Sequence, residues 1–172
     1  FRDLDVEYQE CPEFLQTFID MAYEPGRKQV NAERFTQALH MTNEMKERHE
    51  AGKLIVIDND VYSGENDCNF FFGGYSRVPN SLGYISLSTA RVSSISQARD
   101  LIRHELGHMF GAPSEGRSNT YENLGLHCSN DLCVMQQKDE LEDAISYAQQ
   151  RAKANARTYC GQCEQDIGIS GK

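Results

Sequence analysis

Apolar residues recur every three or four positions from Phe14 through Leu15, Phe18 and Ile19 to Ala22, just after Cys11 and Pro12. This spacing predicts a helix near 12–23, with proline in the first turn where its missing N–H costs nothing. A break at Glu24, Pro25 and Gly26 leads to Asn31, then to Phe35, Ala38, Leu39 and Met45, one face of a second helix near 31–50 whose other face is charged. The period changes after Gly52. Leu54, Ile55, Val56 and Ile57 form a short β-branched run bounded by Asp58, Asn59 and Asp60, which reads as a buried strand. A second strand is expected at 69–72, and a third begins at Tyr84, Ile85 and Leu87 and stops by Ala90. The stretches 59–68 and 73–82 read as polar loops. Ser94 and Gln97 stand at capping-box spacing ahead of Ile95, Ala98, Leu101, Ile102, Leu106, Met109 and Phe110, a helix that Gly111 should end. A last helix near 139–157 carries Asp139 and Glu142 at the same spacing, with Leu141, Ala144, Ile145, Ala148 and Ala152 on one face.

Composition narrows what such a chain can do. Its 172 residues suit one domain, 1–172, and 39% apolar with 25% charged residues is ordinary for a globular fold. A net charge of −9 with no clustered Lys/Arg surface argues against nucleic acid as a partner. No apolar run approaches the roughly 18 residues of a membrane helix, so no membrane partner is expected either. A monomer is the expected state. Because the chain opens with Phe1 rather than Met, a removed leader stays open. The six cysteines fit either disulfides in an oxidising compartment or metal ligation in a reducing one, and spacing must decide.

The chemistry concentrates on the helix after Ser94. His104, Glu105, Leu106, Gly107 and His108 place two imidazoles at i and i+4, on one helix face, where both can reach a metal. Glu105 is rotated about 100° from His104 and can lean toward a water on that metal, the place of a general base. Gly111 follows at the point where a chain leaving the helix can turn left-handed and send a third ligand back. In the extended motif HExxHxxGxxH that ligand would fall at residue 114, which is Ser114 here. His127 is the remaining downstream histidine. Glu122 and Glu115 are the alternatives, since a distant glutamate completes the His₂Glu set of other zinc peptidases.

His127 opens the string His127, Cys128, four residues, Cys133, Val134, Met135, and Cys160 and Cys163 follow as CxxC. Two closely spaced cysteine pairs suit a closed four-thiolate zinc site, and two disulfides are the competing reading. Together with HExxHxxG, the whole succession over residues 104–163 resembles the archaemetzincins. The resemblance implies a metzincin-like α+β fold, a mixed twisted β-sheet packed against the active-site helix and a C-terminal helix. Carried over, it makes His104, His108 and His127 the ligands of a catalytic zinc, Glu105 the base, and Met135 the methionine turn. It makes Cys128, Cys133, Cys160 and Cys163 the ligands of a second, structural zinc, hence two zinc ions per chain. The chain departs from the pattern in two respects: residues 112–126 separate Gly111 from His127, where the family has two residues, and the gap from Met135 to Cys160 is longer than usual. Chained to Cys128, His127 would be held within one residue of the cysteine centre, which offsets the detour.

The expected function is hydrolysis of peptide bonds in a peptide or protein substrate, by a zinc-bound water that Glu105 activates, and a cytoplasmic location suits metal-bound thiolates. Two other readings stand beside it: an inactive, zinc-stabilised binding module, and a gluzincin-like peptidase using Glu122. The insertion 112–126 reads equally as a lid or a neutral surface loop. The strand at 69–72 is a candidate edge for docking an extended peptide. No tyrosine adjoins Met135 to support an oxyanion, and Tyr121 is the one candidate for that role. Cys11 and Cys68 read as buried or free thiols or a bridge between them, and His40 and His49 as solvated.

Overall fold

A computed structural model of the chain describes residues 13–41, 52–64, 73–76, 84–123, 125–138 and 141–168. Helix α1 (Glu13–Ala22) buries Leu15, Ile19 and Ala22, the inner positions of the three-and-four pattern. Strands β1 (Tyr23–Glu24) and β2 (Gln29–Asn31) form a short antiparallel hairpin over the Pro-Gly turn. Asn31 then caps helix α2 (Ala32–His40), its side chain accepting the amide of Arg34 at 2.8 Å, and Phe35, Ala38 and Leu39 go inward. The described part of this helix ends at His40, with Met41 at its cap, and the rest of the expected span lies outside the described residues. Met41 turns its own N–H onto the Ala38 carbonyl, a 3.2 Å bond of the tight last turn. Residues 42–51 lie outside the described ones, as do Met45 and His49. His40 is exposed, as expected.

Two small sheets follow. Strand β4 (Val61–Tyr62) runs parallel to β2, giving the order β1-β2-β4. Strand β3 (Lys53–Ile57) runs parallel to β6 (Tyr84–Ser88), and β5 (Gly73–Ser76) pairs antiparallel with β6, giving β3-β6-β5. The sheet is therefore mixed, as expected of this class. Three expectations need correction. First, β3 is not buried on both faces: Leu54 and Val56 are 42% and 49% exposed while Ile57 is buried, because the strand has a single covered face. Second, β4 lies inside the stretch read as a polar loop; two residues are too few to show alternation. Third, β5 lies in the other such stretch. Gly73 and Gly74 look like turn residues, but sheet pairing to Leu87 and Ser86 overrides that local preference. The strand expected at 69–72 lies outside the described residues.

Helix α3 (Ile95–Met109) begins where the capping box placed it. The Ser94 hydroxyl accepts the Gln97 amide at 3.2 Å, while the Gln97 side chain bonds back to Ser93 rather than to Ser94 itself. Its end is also as read: Phe110 caps, and Gly111 takes a φ of +88°, where a β-carbon would be strained. The insertion then forms a hairpin of β7 (Thr120–Glu122) and β8 (Leu126–Cys128). Helix α4 (Leu141–Lys153) packs on α3, and α5 (Gly161–Asp166) closes the chain, a short helix the apolar pattern did not indicate.

Among the described residues the interior holds two large bodies of side chains and a smaller one around Met109. One joins α1 and α2 to the sheets through Leu15, Ile19, Val30, Phe35, Leu39, Ile57 and Val61. The other lies under α3 and gathers Ala112, Cys128, Cys133, Val134, Met135, Tyr159 and Cys163. This second core sets the position of the functional groups. Arg151 from α4 braces it, buried against Asp100 of α3 at 2.9 Å and donating to the Arg157 and Thr158 carbonyls. Among the described residues no helix is long and apolar enough to cross a membrane.

Candidate metal centres

One turn of α3 separates His104 from His108, so both rings leave the same helix face, and their Nε2 atoms lie 3.2 Å apart. The third ring comes from β8. His127 is almost fully buried, with its Nε2 3.3 Å from that of His108 and 3.2 Å from that of His104. The other nitrogens settle the tautomers: Nδ1 of His104 meets the Val134 carbonyl at 2.8 Å, and Nδ1 of His127 meets the Gly125 carbonyl at 3.0 Å. A carbonyl can only accept, so each Nδ1 carries the proton and each Nε2 presents a lone pair. Burial lowers the His104 pKa to about 4 and that of His108 to about 3, so these two rings stay neutral at pH 7.

Convergent lone pairs at this spacing repel one another unless a cation lies between them. Donors about 2.05 Å from a tetrahedral zinc stand roughly 3.3 Å apart, which is the spacing of these three nitrogens. The residues present therefore fit the ion. Glu105, on the same turn of α3, is buried beside them, and burial pushes its carboxyl up to about 8 in the metal-free chain. Glu122 and Glu115 stay away from the three rings. Both are exposed, and Glu122 neighbours Tyr121, the residue paired with His127, so strand alternation sends it to the opposite face of the hairpin.

The insertion is neither a free lid nor a bare loop, but the element that delivers His127. Tyr121 lies opposite His127, with ring centroids 6.0 Å apart, and its hydroxyl both donates to the Gln137 carbonyl at 3.1 Å and accepts the Gln137 amide at 2.9 Å. The candidate oxyanion tyrosine is thus tied to backbone. The Cys128 amide bonds to the Met135 carbonyl at 2.9 Å, which binds β8 to the segment below α3. Met135 is fully buried there, against Gly107.

The four cysteines meet one residue beyond His127. Cys128 and Cys160 sulfurs are 3.8 Å apart, Cys133 and Cys163 sulfurs 3.7 Å, and all four lie within 4.8 Å of one another. A disulfide needs about 2.05 Å, so these are free thiols. Sulfurs at 2.3 Å from a tetrahedral zinc would stand roughly 3.8 Å apart, so this donor set fits the ion as well. Without a cation the cluster shares its protons unevenly. The hydrogen bond between Cys133 and Cys163 pulls Cys133 down to about 5 and raises Cys163, and burial pushes Cys128 up to about 11. Cys11 and Cys68 lie outside the described residues.

Arg117 completes this centre, and nothing in the sequence pattern pointed to it. Its guanidinium lies 3.5 Å from both the Cys128 and Cys163 sulfurs and pairs with Asp166. Arg117 and Asp166 are far apart in the chain and belong to no motif, so only the fold could reveal their pairing at the cysteines.

No family model matches the chain. An archaemetzincin of Nanoarchaeum equitans is 26% identical over 151 residues, covering 87% of this chain and 69% of that protein. The crystal structure of an archaemetzincin from Archaeoglobus fulgidus, complexed with malonate, matches with a TM-score of 0.53 over 85% of this chain and 74% of that one, at 23% identity. The fold and the comparisons thus define a mixed α+β protein with the fold of that crystal structure. Within that class the chain is archaemetzincin-like, as its motif suggested.

Proposed function

We propose that the chain is a zinc-dependent peptidase acting on a peptide or protein substrate. His104, His108 and His127 would hold the catalytic zinc, and Cys128, Cys133, Cys160 and Cys163 a structural one. The observation that carries this reading is the convergence of three imidazole Nε2 atoms at 3.2–3.3 Å, with a buried glutamate next to His104 on the same helix. When bound, zinc would polarise the scissile carbonyl and acidify water in the coordination position that three protein ligands leave open.

The chain's own groups do the rest. With a bound cation's charge favouring its ionised form, Glu105 would take a proton from the attacking water on a carboxylate oxygen and pass it to the departing amine nitrogen. Its burial keeps bulk water from competing for that proton. The Val134 and Gly125 carbonyls hold the His104 and His127 rings in the ligating tautomer, so no reorganisation is needed on binding. Strand β5, an edge of its sheet among the described residues and in contact with α3, is one element on which an extended substrate would add as a further strand.

Metal analysis of gently purified protein should return two zinc ions per chain. Against a broad peptide library, wild type should cleave, while Glu105→Ala should lose activity and keep both metals. Full activity in that variant, or no zinc in the wild type, would overturn the reading.

A further inference from the structure

The insertion carries a residue that faces the cysteine centre from outside. Four thiolates around one zinc leave a net charge of −2, and a buried dianion needs donors aimed at its sulfurs. Backbone supplies some: the Asn130 amide points at Cys128 at 3.5 Å and the Cys160 amide at Cys133 at 3.4 Å. Side chains supply others, from Asn130 to Cys160 at 3.1 Å and from Asn119 to Cys128 at 3.7 Å. Arg117 differs from these in carrying a charge. Its Nη1 lies 3.5 Å from Cys163, and its Nη2 lies 3.5 Å from Cys128 and 3.6 Å from Cys163, so one planar group spans two sulfurs.

The guanidinium is also aimed. Its Nη1 pairs with the Asp166 carboxylate, its Nε donates to Asn119 at 3.0 Å, and its carbonyl accepts the Thr120 hydroxyl at 2.9 Å. Asp166 is fixed in turn by the Ser114 hydroxyl at 2.7 Å and the Ser114 amide at 3.0 Å. Carboxylate, guanidinium and sulfur thus alternate in sign across a nearly buried line. Ser114, Arg117, Asn119 and Thr120 all belong to residues 112–126, which then run through the β7–β8 hairpin to His127.

We propose that Arg117 is a positioning residue of the four-cysteine centre: its guanidinium donates to two of the sulfurs and offsets part of their charge, and through it the occupied centre anchors the insertion that presents His127. The assignment rests on the two-centre reading above. Arg117 touches neither substrate nor reacting atoms, so its effect on catalysis runs through the place of His127.

The test uses the full chain loaded with cobalt(II), which gives a sulfur-to-metal charge-transfer band at thiolates and none at imidazoles. In Arg117→Gln the band should move to longer wavelength, because sulfurs that lose a cationic donor give up electrons more readily. Under chelator challenge that band should decay roughly 10–100-fold faster than in wild type. Arg117→Lys keeps the charge without the fork and should recover part of the retention. Asp166→Asn keeps the guanidinium but loses its aim, and should release cobalt several-fold faster; it carries the test if Arg117→Gln does not fold. Wild-type band position and decay in Arg117→Gln, or in Asp166→Asn where only that variant folds, would overturn the assignment, as would no recovery with Lys. A wild-type chain with no thiolate band sinks the two-centre reading instead.

Discussion

Met135 fills the space that a β-carbon on Gly107 would occupy. Its Sδ lies in direct contact with that position, its Cε would be 3.0 Å away, and Cε1 of Tyr159 would be 3.1 Å away. Gly107 sits between the two ligand histidines of α3, so the close approach of Met135 and the register of the rings are one arrangement. Alanine is the better helix former by about 1 kcal/mol, yet here it must displace a fully buried side chain. Gly107→Ala should therefore destabilise by about 1–3 kcal/mol, the usual cost of overpacking. Thermal unfolding would show it, and Gly107→Ala combined with Met135→Ala should cost less than the two single changes added together.

His127 tests the ligand set. His127→Ala should lose the catalytic metal and keep the zinc at the cysteines, so metal content should fall from two to one per chain. Glu122→Gln and Glu115→Gln should leave both metals, because these side chains are exposed and away from the rings. Loss of a metal in Glu122→Gln, with retention in His127→Ala, would restore the His₂Glu alternative.

Much of this was legible in the chain because it is local. The i, i+4 histidines, the Ser94 cap and the Gly111 stop all follow from helix geometry, and the pair of cysteine pairs is a short-range pattern. What stayed hidden depends on contacts between distant segments. Strand β5 runs through two glycines and is held by its pairing to β6, and Arg117 meets Asp166 and two cysteines that only folding brings near. The insertion read as lid or loop because its composition is polar. Its hairpin is fixed by partners outside it, at Met135 and Gln137.

Tyr121 offers a way to loosen that hairpin without touching a ligand. Removing its hydroxyl in Tyr121→Phe leaves the Gln137 amide and carbonyl without the partner that served both. A loss of about 1–2 kcal/mol is expected, with a several-fold faster release of metal from the histidine centre and little change at the cysteines. Chelator competition on each centre would measure it, and equal acceleration at both would mean that the hairpin does not act on His127 selectively.

Asp60 predicts how the fold responds to acid. Its carboxylate accepts the Arg91 Nε at 2.7 Å and Nη2 at 2.6 Å, and the Gln29 side chain at 3.1 Å, tying the β1-β2-β4 sheet to the segment after β6. The Arg91 hydrogen bonds hold its pKa below the ordinary 3.8, against the opposing effect of burial. A carboxyl whose folded pKa is depressed adds stability that is present above its unfolded pKa and fades as pH falls through the folded one. The pair is about one-third exposed, so the contribution is modest, about 1 kcal/mol at most. Asp60→Asn should therefore unfold more easily than wild type at pH 7, and the gap should start to narrow below about pH 4, where the unfolded carboxyl takes up its proton, and go on closing as pH falls through the lower folded pKa. Denaturant midpoints of the two proteins measured from pH 7 down to pH 3 would show that convergence. A gap that stayed constant with pH would mean that Arg91 holds Asp60 by geometry alone and that its charge contributes nothing.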